Sequence, residues 1–301
     1  MPLTVGMIGL GIMGSAMAGN LAKAGHPVVG YDRLPEPRRR FAARGGTAAR
    51  SGADVARRAR IVVSSLPSSA ALESVAEEIA RAQPKDLILI ETSTLPLDVK
   101  EGARRRLQQA GVRMLDCPLS GTGAQARAKD VAVYASGSRP AYAECVPVFE
   151  GFARAHYYVG AFGAGSKMKY VANLLVAIHN VAAAEAMVLA IKAGLDPALV
   201  LKVVGDGAGS SRMFQVRGPM MVANDYSDAT MKVEVWQKDM HIIGDFATKL
   251  DCPTPLFATC APLYTAAMAS GHATDDTGAV CAVLAAMAGV RRTAPARRRR
   301  R

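Results

Sequence analysis

The 301-residue sequence contains few aromatic residues and few cysteines, and both shortages exclude certain kinds of protein. Phe, Tyr and Trp make up only 5% of the chain, whereas alanine and glycine, which suit close packing of helices on a sheet, are plentiful. The five cysteines are odd in number, and no two have the spacing of a zinc or redox pair. We therefore expect reduced, mostly buried thiols in a cytoplasmic protein, with neither a disulfide framework nor a metal site.

Long apolar runs are also missing, since no uninterrupted stretch reaches the length of about 20 residues that a membrane-spanning helix needs. The alanine-rich segment 171–193 comes nearest, but it includes polar residues that are costly in lipid, namely Asn173, His179, Asn180, Glu185 and Lys192. The first residues show no basic segment followed by an apolar one, so no secretory signal is predicted. We expect a protein that does not bind a membrane.

Acidic residues are absent from residues 291–301, which contain seven arginines and contribute much of the net charge of +12. A stretch of this composition cannot bury a core, so residues 293–301 are predicted to be disordered. The run Arg297–Arg301 is of a kind that contacts nucleic acid or anionic lipid. A solvated, dispensable chain end is the favoured interpretation, so nucleic acid is not an expected partner.

Half of the residues are hydrophobic, and the length allows two domains of ordinary size. The first half of the chain alternates between short apolar runs, which predict buried strands, and helical stretches. The predicted strands are 4–9, 27–32, 61–66, 87–91, 113–116 and 130–136, and the clearest helices are 12–25, 70–82 and 97–110. Alternation of this kind predicts an α/β fold, with a mainly parallel sheet covered by helices on both faces.

The pattern changes near residue 160, where several glycines interrupt the chain. Residues 166–193 predict one long helix, and the later segments to about residue 289 all have a helical pattern. We therefore predict two domains, an α/β domain over 1–162 and an all-α domain over 163–292 that begins with the long helix. The apolar, alanine-rich face of this helix favours pairing of subunits in a homodimer or homotetramer.

The first predicted strand is followed at once by a glycine-rich loop and a helix. The loop and the first helical residues are Gly9, Leu10, Gly11, Ile12, Met13 and Gly14. In such a unit Gly9 permits the tight turn, Gly11 lets the backbone approach a pyrophosphate, and Gly14 lets helix and strand pack closely. The helix N-terminus presents N–H groups and a partial positive charge to the phosphates. The unit therefore predicts a binding site for a nicotinamide dinucleotide.

An acidic residue, Asp32, ends the second predicted strand. Its carboxylate is placed to accept hydrogen bonds from the adenosine ribose hydroxyls and to repel a 2′-phosphate, which favours NAD. Arg33 follows directly, and further arginines lie at 38–40, so NADP is the alternative. We predict NAD as the cofactor, with Asp32 and Arg33 at its adenosine end.

Four segments, taken in order along the chain, form a more specific pattern than the glycine loop alone. They are the loop with Met17, Ala18, Asn20 and Leu21; residues 116–122, Asp-Cys-Pro-Leu-Ser-Gly-Thr; residues 163–173, Gly-Ala-Gly-Ser-Lys-Met-Lys-Tyr-Val-Ala-Asn; and Lys238 with Asp239. With these segments the sequence resembles the 3-hydroxyisobutyrate dehydrogenase group of β-hydroxyacid dehydrogenases, in the 6-phosphogluconate dehydrogenase-like superfamily. The resemblance implies an N-terminal Rossmann-type domain, an all-α C-terminal domain and an active site in the cleft between them.

The resemblance also implies roles for individual residues. Lys169 matches the family's catalytic lysine, and Asn173 matches its substrate-binding partner. The substrate carboxylate is expected at Ser120, Gly121 and Thr122. Beside the glycine loop, the residues expected to line the cofactor are Leu66, Pro67, Thr94 and, near the nicotinamide, Lys238.

The activity implied by the resemblance is the NAD(P)-dependent interconversion of a small β-hydroxy acid and its semialdehyde or keto acid. The 3-hydroxyisobutyrate and 2-hydroxy-3-oxopropionate classes are the first candidates for the substrate, and threonate-like acids are a further one. In the oxidative direction, the nicotinamide accepts a hydride while Lys169 takes the hydroxyl proton.

The chemistry expected of Lys169 agrees with its position. Lys169 and Asn173 are four residues apart and so share one face of the predicted helix. The helix N-terminus and Lys238 both disfavour an ammonium, which should lower the pKa of Lys169 and suit it to proton transfer near neutrality. For Asp239 two interpretations are open, a direct role and a simple pairing with a neighbouring lysine.

Three other functions are weighed against this one. An imine reductase on the same fold is disfavoured because such relatives usually lack the lysine at the position of Lys169. A phosphogluconate dehydrogenase is disfavoured by the short chain and by the lack of a phosphate-binding cluster. A non-catalytic module that senses the cofactor and binds nucleic acid through Arg297–Arg301 is disfavoured by the presence of Lys169 and Asn173.

Overall fold

The computed structural model describes residues 2–292, and the chain forms two compact units. The first unit ends at Lys169 and the second begins at Tyr170. The arginine-rich end, for which disorder is predicted over residues 293–301, lies outside the described residues.

The division between the units lies beyond the predicted domain boundary at residue 162, inside the long helix. The backbone N–H of Gly165 donates to the Ser136 hydroxyl, and the N–H of Ser166 donates to the Asp116 carboxylate. These bonds tie the first turn of the helix to the strands before it. The helix therefore begins as part of the first unit.

Sixteen elements and the start of a seventeenth make up the first unit. In chain order they are β1 (Val5–Ile8), α1 (Ile12–Lys23), β2 (Val28–Tyr31), α2 (Pro35–Ala43), β3 (Thr47–Ala48), α3 (Gly52–Arg58), β4 (Ile61–Ser64), α4 (Ser69–Ala82), β5 (Ile88–Glu91), α5 (Leu97–Gln109), β6 (Arg113–Asp116), β7 (Leu119–Ser120), α6 (Gly123–Arg127), β8 (Ala132–Ala135), α7 (Arg139–Phe152), β9 (Ala155–Tyr158) and α8 (Ala164–Lys192).

Six of the strands form one parallel sheet in the spatial order β3-β2-β1-β4-β5-β6. The chain crosses from one side of β1 to the other between β3 and β4. Folds of this kind bind ligands outside the carboxyl ends of the strands at such a crossing point. The predicted α/β fold with a parallel sheet is confirmed, and the predicted dinucleotide loop follows β1 at this crossing point.

Strand β5 illustrates why the sheet needs helices on both faces. Ile88 and Ile90 belong to one hydrophobic cluster with Phe149, whereas Leu89 belongs to a second cluster with Leu107. All of β5 is buried, and successive side chains of a strand point to opposite faces. Burial of each such side chain contributes about 1.5–3 kcal/mol. The continuous apolar run, rather than an alternating one, is what a parallel sheet covered on both faces requires.

The smaller sheet explains where the strand predictions were incomplete. β7, β8 and β9 form a separate three-stranded sheet, in which β7 is antiparallel and β9 parallel to β8. The predicted strand 130–136 corresponds to β8 and is therefore not part of the parallel sheet. The strands β3, β7 and β9 were not predicted, because two have only two residues each and β9 contains a histidine and two tyrosines in place of an apolar run.

Every secondary-structure element that residues 170–292 contribute to the second unit is a helix, as predicted. After the remainder of α8 it contains α9 (Pro197–Gly205), α10 (Arg212–Ala223), α11 (Val233–Lys249), α12 (Pro255–Ala269), a short 3₁₀ helix (Thr277–Ala279) and α13 (Val280–Met287). Its core includes the buried rings of Tyr170, Phe214, Trp236 and Tyr264. A buried ion pair of 2.9 Å between Arg217 and Asp276 adds a polar link inside this unit.

Helix α8 is long and apolar enough to cross a membrane by length and composition alone. In its most apolar window, 44% of the residues are nevertheless buried inside the structure. Two of its polar side chains are also buried and hydrogen-bonded, Asn173 to Asp239 and Asn180 to Tyr264. These features are those of a core helix.

Candidate active site

The loop between β1 and α1 has the shape that its glycines predict. Gly9 has a φ of +88°, and a side chain there would overlap the carbonyl oxygen of Ser65. A side chain on Gly14 would overlap the carbonyl oxygen of Gly9, so this glycine allows the helix to lie directly on the turn. Around Gly11, in contrast, a Cβ would meet nothing within 4 Å.

The open side of this loop fits a dinucleotide pyrophosphate. Gly11 is the N-cap of α1 and offers no side chain to the first-turn N–H groups, and Ile12 is 71% exposed. These uncapped N–H groups carry the partial positive charge of the helix N-terminus. Leu10 is fully buried and Met13 is half-buried, and both pack in the hydrophobic core of the first unit.

Asp32 connects the end of β2 to this loop. Its Oδ2 accepts a hydrogen bond of 2.8 Å from the backbone N–H of Leu10, and its Oδ1 accepts one of 2.9 Å from the N–H of Leu34. Each carboxylate oxygen can accept a second hydrogen bond, so the half-buried side chain can still receive a ribose hydroxyl. Arg33 is exposed beside it, and the Arg38 guanidinium lies 5.6 Å from the centre of the Tyr31 ring.

The next two strand ends carry the other residues predicted to line the cofactor within the first unit. Leu66 and Pro67 follow β4, and Thr94 follows β5. The backbone N–H of Leu66 donates to the Ser93 hydroxyl at 2.8 Å, which joins the two segments. They therefore lie at the same edge of the sheet as the glycine loop, because the strands are parallel.

The predicted carboxylate segment lies beside the glycine loop. A Cβ on Gly123, directly after the segment, would overlap the side chain of Ile12. Ser120 ends β7 with a half-buried hydroxyl, and Gly121 has a φ of +139°, where a Cβ would lie 2.8 Å from Val131. Thr122 caps α6, exchanging hydrogen bonds with Gln125. Its hydroxyl and N–H are thus engaged in the cap.

Lys169 is half-buried in the second turn of α8, and the helix start is packed tightly beneath it. A side chain at Gly165 would overlap the carbonyl oxygen of Tyr134. Lys167, two residues before Lys169, is exposed and lies on another side of the helix.

In the second unit, Asp239 joins two of the predicted residues. The Asn173 side-chain amide donates to Asp239 Oδ2 at 2.8 Å, and the ammonium of Lys238 lies 3.6 Å from Asp239 Oδ1. Asn173 and Asp239 are buried, while the Lys238 side chain is 37% exposed. The sequence predicts no single role for Asp239. Only its position next to Lys238 indicates that it belongs near the site.

Comparisons with known proteins agree with this geometry. Residues 4–160 match the NAD binding domain of 6-phosphogluconate dehydrogenase, and residues 163–284 match the domain described as NAD-binding of NADP-dependent 3-hydroxyisobutyrate dehydrogenase. The chain is 35% identical to L-threonate dehydrogenase of Cupriavidus necator, over 93% of this chain and 95% of that protein. It is 31% identical to human mitochondrial 3-hydroxyisobutyrate dehydrogenase, over 92% of this chain and 85% of that protein.

The chain belongs to the 3-hydroxyisobutyrate dehydrogenase family. Among solved structures, it resembles the 3-hydroxyisobutyrate dehydrogenase of Salmonella typhimurium, with a TM-score of 0.84 and 31% identity over 93% of this chain and 99% of that one. An imine reductase from Pseudomonas sp. matches with a TM-score of 0.63 and 20% identity over 94% of this chain and 100% of that one, which shows the shared fold alone.

Membership of the 3-hydroxyisobutyrate dehydrogenase family makes this protein an NAD(P)-binding oxidoreductase of the β-hydroxyacid dehydrogenase type. The predicted family, enzyme class and dinucleotide cofactor are confirmed. Cys117 lies next to the predicted substrate segment, but its side chain is fully buried. Burial raises the pKa of the Cys117 thiol well above its ordinary value, so this family member has no thiolate nucleophile there.

Proposed function

We propose that this dehydrogenase oxidises a small hydroxy acid with NAD and uses Lys169 as the acid–base group. The observation that carries the proposal is the start of α8, where Lys169 and Asn173 lie one turn apart. Relatives named L-threonate dehydrogenase and 3-hydroxyisobutyrate dehydrogenase support a hydroxy acid as the substrate class. L-Threonate, 3-hydroxyisobutyrate and 2-hydroxy-3-oxopropionate (the last in the reductive direction) are the substrates to test first.

The proposed roles divide the work between binding and proton transfer. NAD, when bound, supplies the hydride acceptor. Lys169 takes the hydroxyl proton during oxidation and returns it during reduction, for which it must spend part of its time as a neutral amine. Asn173 orients the substrate, and Ser120 with the N–H of Gly121 binds the carboxylate, so that the reacting carbon is held in place.

The cofactor is proposed to bind across the strand ends of the first unit. The glycine loop receives the pyrophosphate, Asp32 receives the adenosine ribose, and Leu66, Pro67 and Thr94 line the path to the nicotinamide. Lys238 is proposed to act at the nicotinamide end. The carboxylate of Asp32 repels a 2′-phosphate, so we propose NAD rather than NADP as the preferred cofactor.

Two further proposals concern the protein's surroundings. We propose that the enzyme works in the cytoplasm, and the burial of 44% of the most apolar window of α8 supports a helix that packs within the protein and does not cross a membrane. Exposed apolar side chains on α8 and α9 support a homo-oligomer, in which this surface is covered by a second copy.

The experiment that tests the function is a panel of small hydroxy acids assayed with NAD and with NADP at the absorbance of the reduced nicotinamide. The panel contains L-threonate, 3-hydroxyisobutyrate and, in the reductive direction, 2-hydroxy-3-oxopropionate. We expect turnover of at least one acid and a higher kcat/KM with NAD. A panel without turnover contradicts the proposed substrate class, and a clear preference for NADP contradicts the role given to Asp32.

The role of Lys169 is tested by Lys169→Ala, with Lys167→Ala as the matched control on the same helix turn. Loss of the acid–base group is expected to lower kcat at least 100-fold, because general acid–base catalysis contributes about 10²–10⁴-fold. The Kd for NADH, measured by fluorescence titration, should change less than twofold. Lys167 is exposed, and its variant should keep normal turnover. Near-normal turnover in Lys169→Ala contradicts the assignment.

A further inference from the structure

Three charged side chains in the first unit are completely buried and in contact. The Lys100 ammonium lies 2.7 Å from Glu91 Oε2 and 2.7 Å from Asp116 Oδ1, and all three side chains have 0% exposure. Lys100 lies on the buried face of α5 with Ala103 and Leu107. Removing charges from water is costly and is offset only when the geometry and the remaining hydrogen bonds are good. Because burial of these three charges is costly, a structural role of the cluster is expected in the groups that it binds.

One side of this cluster binds the start of α8. Asp116 Oδ2 accepts the backbone N–H of Ser166 at 2.7 Å, and Asp116 Oδ1 accepts the Ser166 hydroxyl at 2.8 Å. The hydroxyl of Ser136 donates to Asp116 and accepts the N–H of Gly165 at 3.0 Å. The first N–H groups of a helix have no partner within the helix, and a carboxylate is favoured at that end. Two oxygens that bind one residue fix both the rotation and the height of the helix start.

The other side of the cluster binds the segments proposed to line the cofactor. Glu91 Oε1 accepts the backbone N–H of Ser93 at 2.9 Å, and the Ser93 hydroxyl accepts the N–H of Leu66 at 2.8 Å. The carboxyl ends of β4 and β5 are thus connected through Glu91 and Lys100 to the start of α8. Every member of this path lies in the first unit.

Lys100 stays charged in this setting. Burial alone would lower the pKa of its ammonium, but the carboxylates of Asp116 and Glu91 more than compensate, so the pKa is raised above its ordinary value. The raised pKa favours the charged ammonium that both ion pairs need.

We propose that Glu91, Lys100, Asp116 and Ser166 form a positioning network that sets the place of Lys169 relative to the cofactor-lining strand ends. Lys169 follows Ser166 by three residues and therefore lies on the same side of α8, one turn further on. A shift of the helix start moves the amine of Lys169 directly, and misplacement by about 1 Å costs on the order of 100-fold in rate. The proposal rests on the proposed acid–base role of Lys169.

The test is Ser166→Ala, with Ser64→Ala as the matched control. Ser166→Ala removes one of the two bonds to Asp116 and leaves the backbone bond, so the variant should fold. Ser64 is also completely buried in the first unit, but its hydroxyl has no hydrogen-bond partner among the described residues. Each protein is assayed with L-threonate and 3-hydroxyisobutyrate and with the same acids deuterated at the carbon that loses the hydride.

For Ser166→Ala we expect kcat to fall about tenfold, a smaller loss than a full 1 Å displacement gives. The KM and the Kd for NADH should stay within twofold, and the deuterium isotope effect on kcat should rise because the misplaced amine makes the chemical step slower. Ser64→Ala should match the natural enzyme in all four quantities. Loss of stability alone changes the melting temperature and the folded fraction but not an isotope effect, so this readout separates positioning from packing.

A normal kcat and isotope effect in Ser166→Ala overturn the proposal, whatever the melting temperature. If Lys169→Ala is inactive at the same time, only the positioning network is refuted and the proposed function stands. If Lys169→Ala is active, both fail. As a second variant, Lys100→Met leaves two buried carboxylates without their cation and should lower kcat more than Ser166→Ala, while wild-type kcat in the folded Lys100→Met protein also overturns the proposal.

Discussion

At the scale of single residues, the chain uses buried and half-buried carboxylates to orient other polar groups. Asp32 fixes the glycine loop, Asp116 fixes the start of α8, and Asp239 fixes the amide of Asn173. In each case the acid accepts a hydrogen bond of 2.7–2.8 Å, the length of a charge-assisted bond. A side chain that binds a ligand in one orientation binds it more tightly when such a partner holds it, because its rotamers are already restricted before the ligand binds.

The contact between Asp239 and Asn173 gives a residue-scale prediction. Asp239→Asn replaces an acceptor with an amide that can turn its own donors toward Asn173, so the Asn173 side chain is expected to lose its fixed orientation. We expect KM for the hydroxy acid to rise about tenfold, the effect of losing roughly 1.4 kcal/mol of substrate binding. Steady-state kinetics measure this, and the Kd for NADH is followed in parallel.

The control for this variant is Asp245→Asn, an exposed carboxylate on the same helix α11. It changes the charge of the helix by the same amount without touching Asn173. An equal rise of KM in both variants would assign the effect to charge and not to the orientation of Asn173.

The same scale shows what sequence could and could not predict about the site. The places of the glycine loop and Asp32 at the ends of β1 and β2 were predictable because each combines a residue type with a fixed distance from a strand end. The roles expected of Lys169 and Lys238 come from the family resemblance and stay predictions. The network around Lys100 was not predictable, because Lys100 has the appearance of an ordinary surface lysine on α5. Only its place on the buried stripe with Ala103 and Leu107 distinguishes it, and its partners lie on other strands.

At the scale of secondary-structure elements, the first turn of α1 packs so closely on the loop after β1 that only glycine can occupy position 14. A side chain at Gly14 has no room because the carbonyl oxygen of Gly9 occupies its place, whereas Gly19, on the same helix, faces open space. Helix propensity alone favours alanine over glycine by about 1 kcal/mol at either position. The surroundings of each glycine therefore decide whether its substitution by alanine raises or lowers the stability of the protein.

We predict opposite effects for alanine at these two glycines. Gly14→Ala should lower the free energy of unfolding by about 1–3 kcal/mol, the usual cost of overpacking, and should weaken NADH binding because the loop must move. Gly19→Ala should leave NADH binding unchanged and raise the free energy of unfolding by up to about 1 kcal/mol. Chemical denaturation and fluorescence titration of NADH check both. Equal stability of the two variants would show that the loop relaxes without cost.

Strands and helices could be predicted from the sequence where their apolar runs are long enough to form a clear pattern. The strands β1, β2, β4, β5 and β6 and the long helix α8 were predictable because their burial imposes a continuous or periodic pattern. The short strands β3 and β7 are determined by pairing with neighbours, which a local pattern does not contain. The attachment of the first turn of α8 to the end of β6 likewise depends on hydrogen bonds between Ser166 and Asp116, residues 50 positions apart in the chain.

At the scale of the whole molecule, the second unit exposes several large apolar side chains near the end of α8 and on α9. On α8 and the segment that follows, Leu189 is 72% exposed, Val203 60%, and Leu195 and Leu199 55% each. Symmetric oligomers bury a self-complementary patch of this kind against the same patch of a second copy. This is the surface proposed to pair the subunits.

The oligomer is tested by Leu189→Glu, with Leu250→Glu as the control at the end of α11, where the leucine is 59% exposed outside this patch. A charge placed in the paired surface should shift the enzyme to a smaller species in light scattering coupled to size-exclusion chromatography. The control should keep the mass of the natural protein. If the natural protein is already a monomer at micromolar concentration, the proposed pairing is wrong.

The bonds between Ser166 and Asp116 also bear on how the chain reaches its folded state. A growing chain emerges from the ribosome N-terminal end first, so Asp116 and Lys100 are available before the first turn of α8 exists. Until then the Asp116 carboxylate lacks the two donors that it has in the complete protein. In a fragment that ends at residue 162, Asp116 would never receive these two hydrogen bonds, whereas a fragment that includes residue 169 contains Ser166 and can form them. The hydrogen bonding of Asp116 in the dinucleotide-binding unit is therefore complete only after synthesis has entered α8.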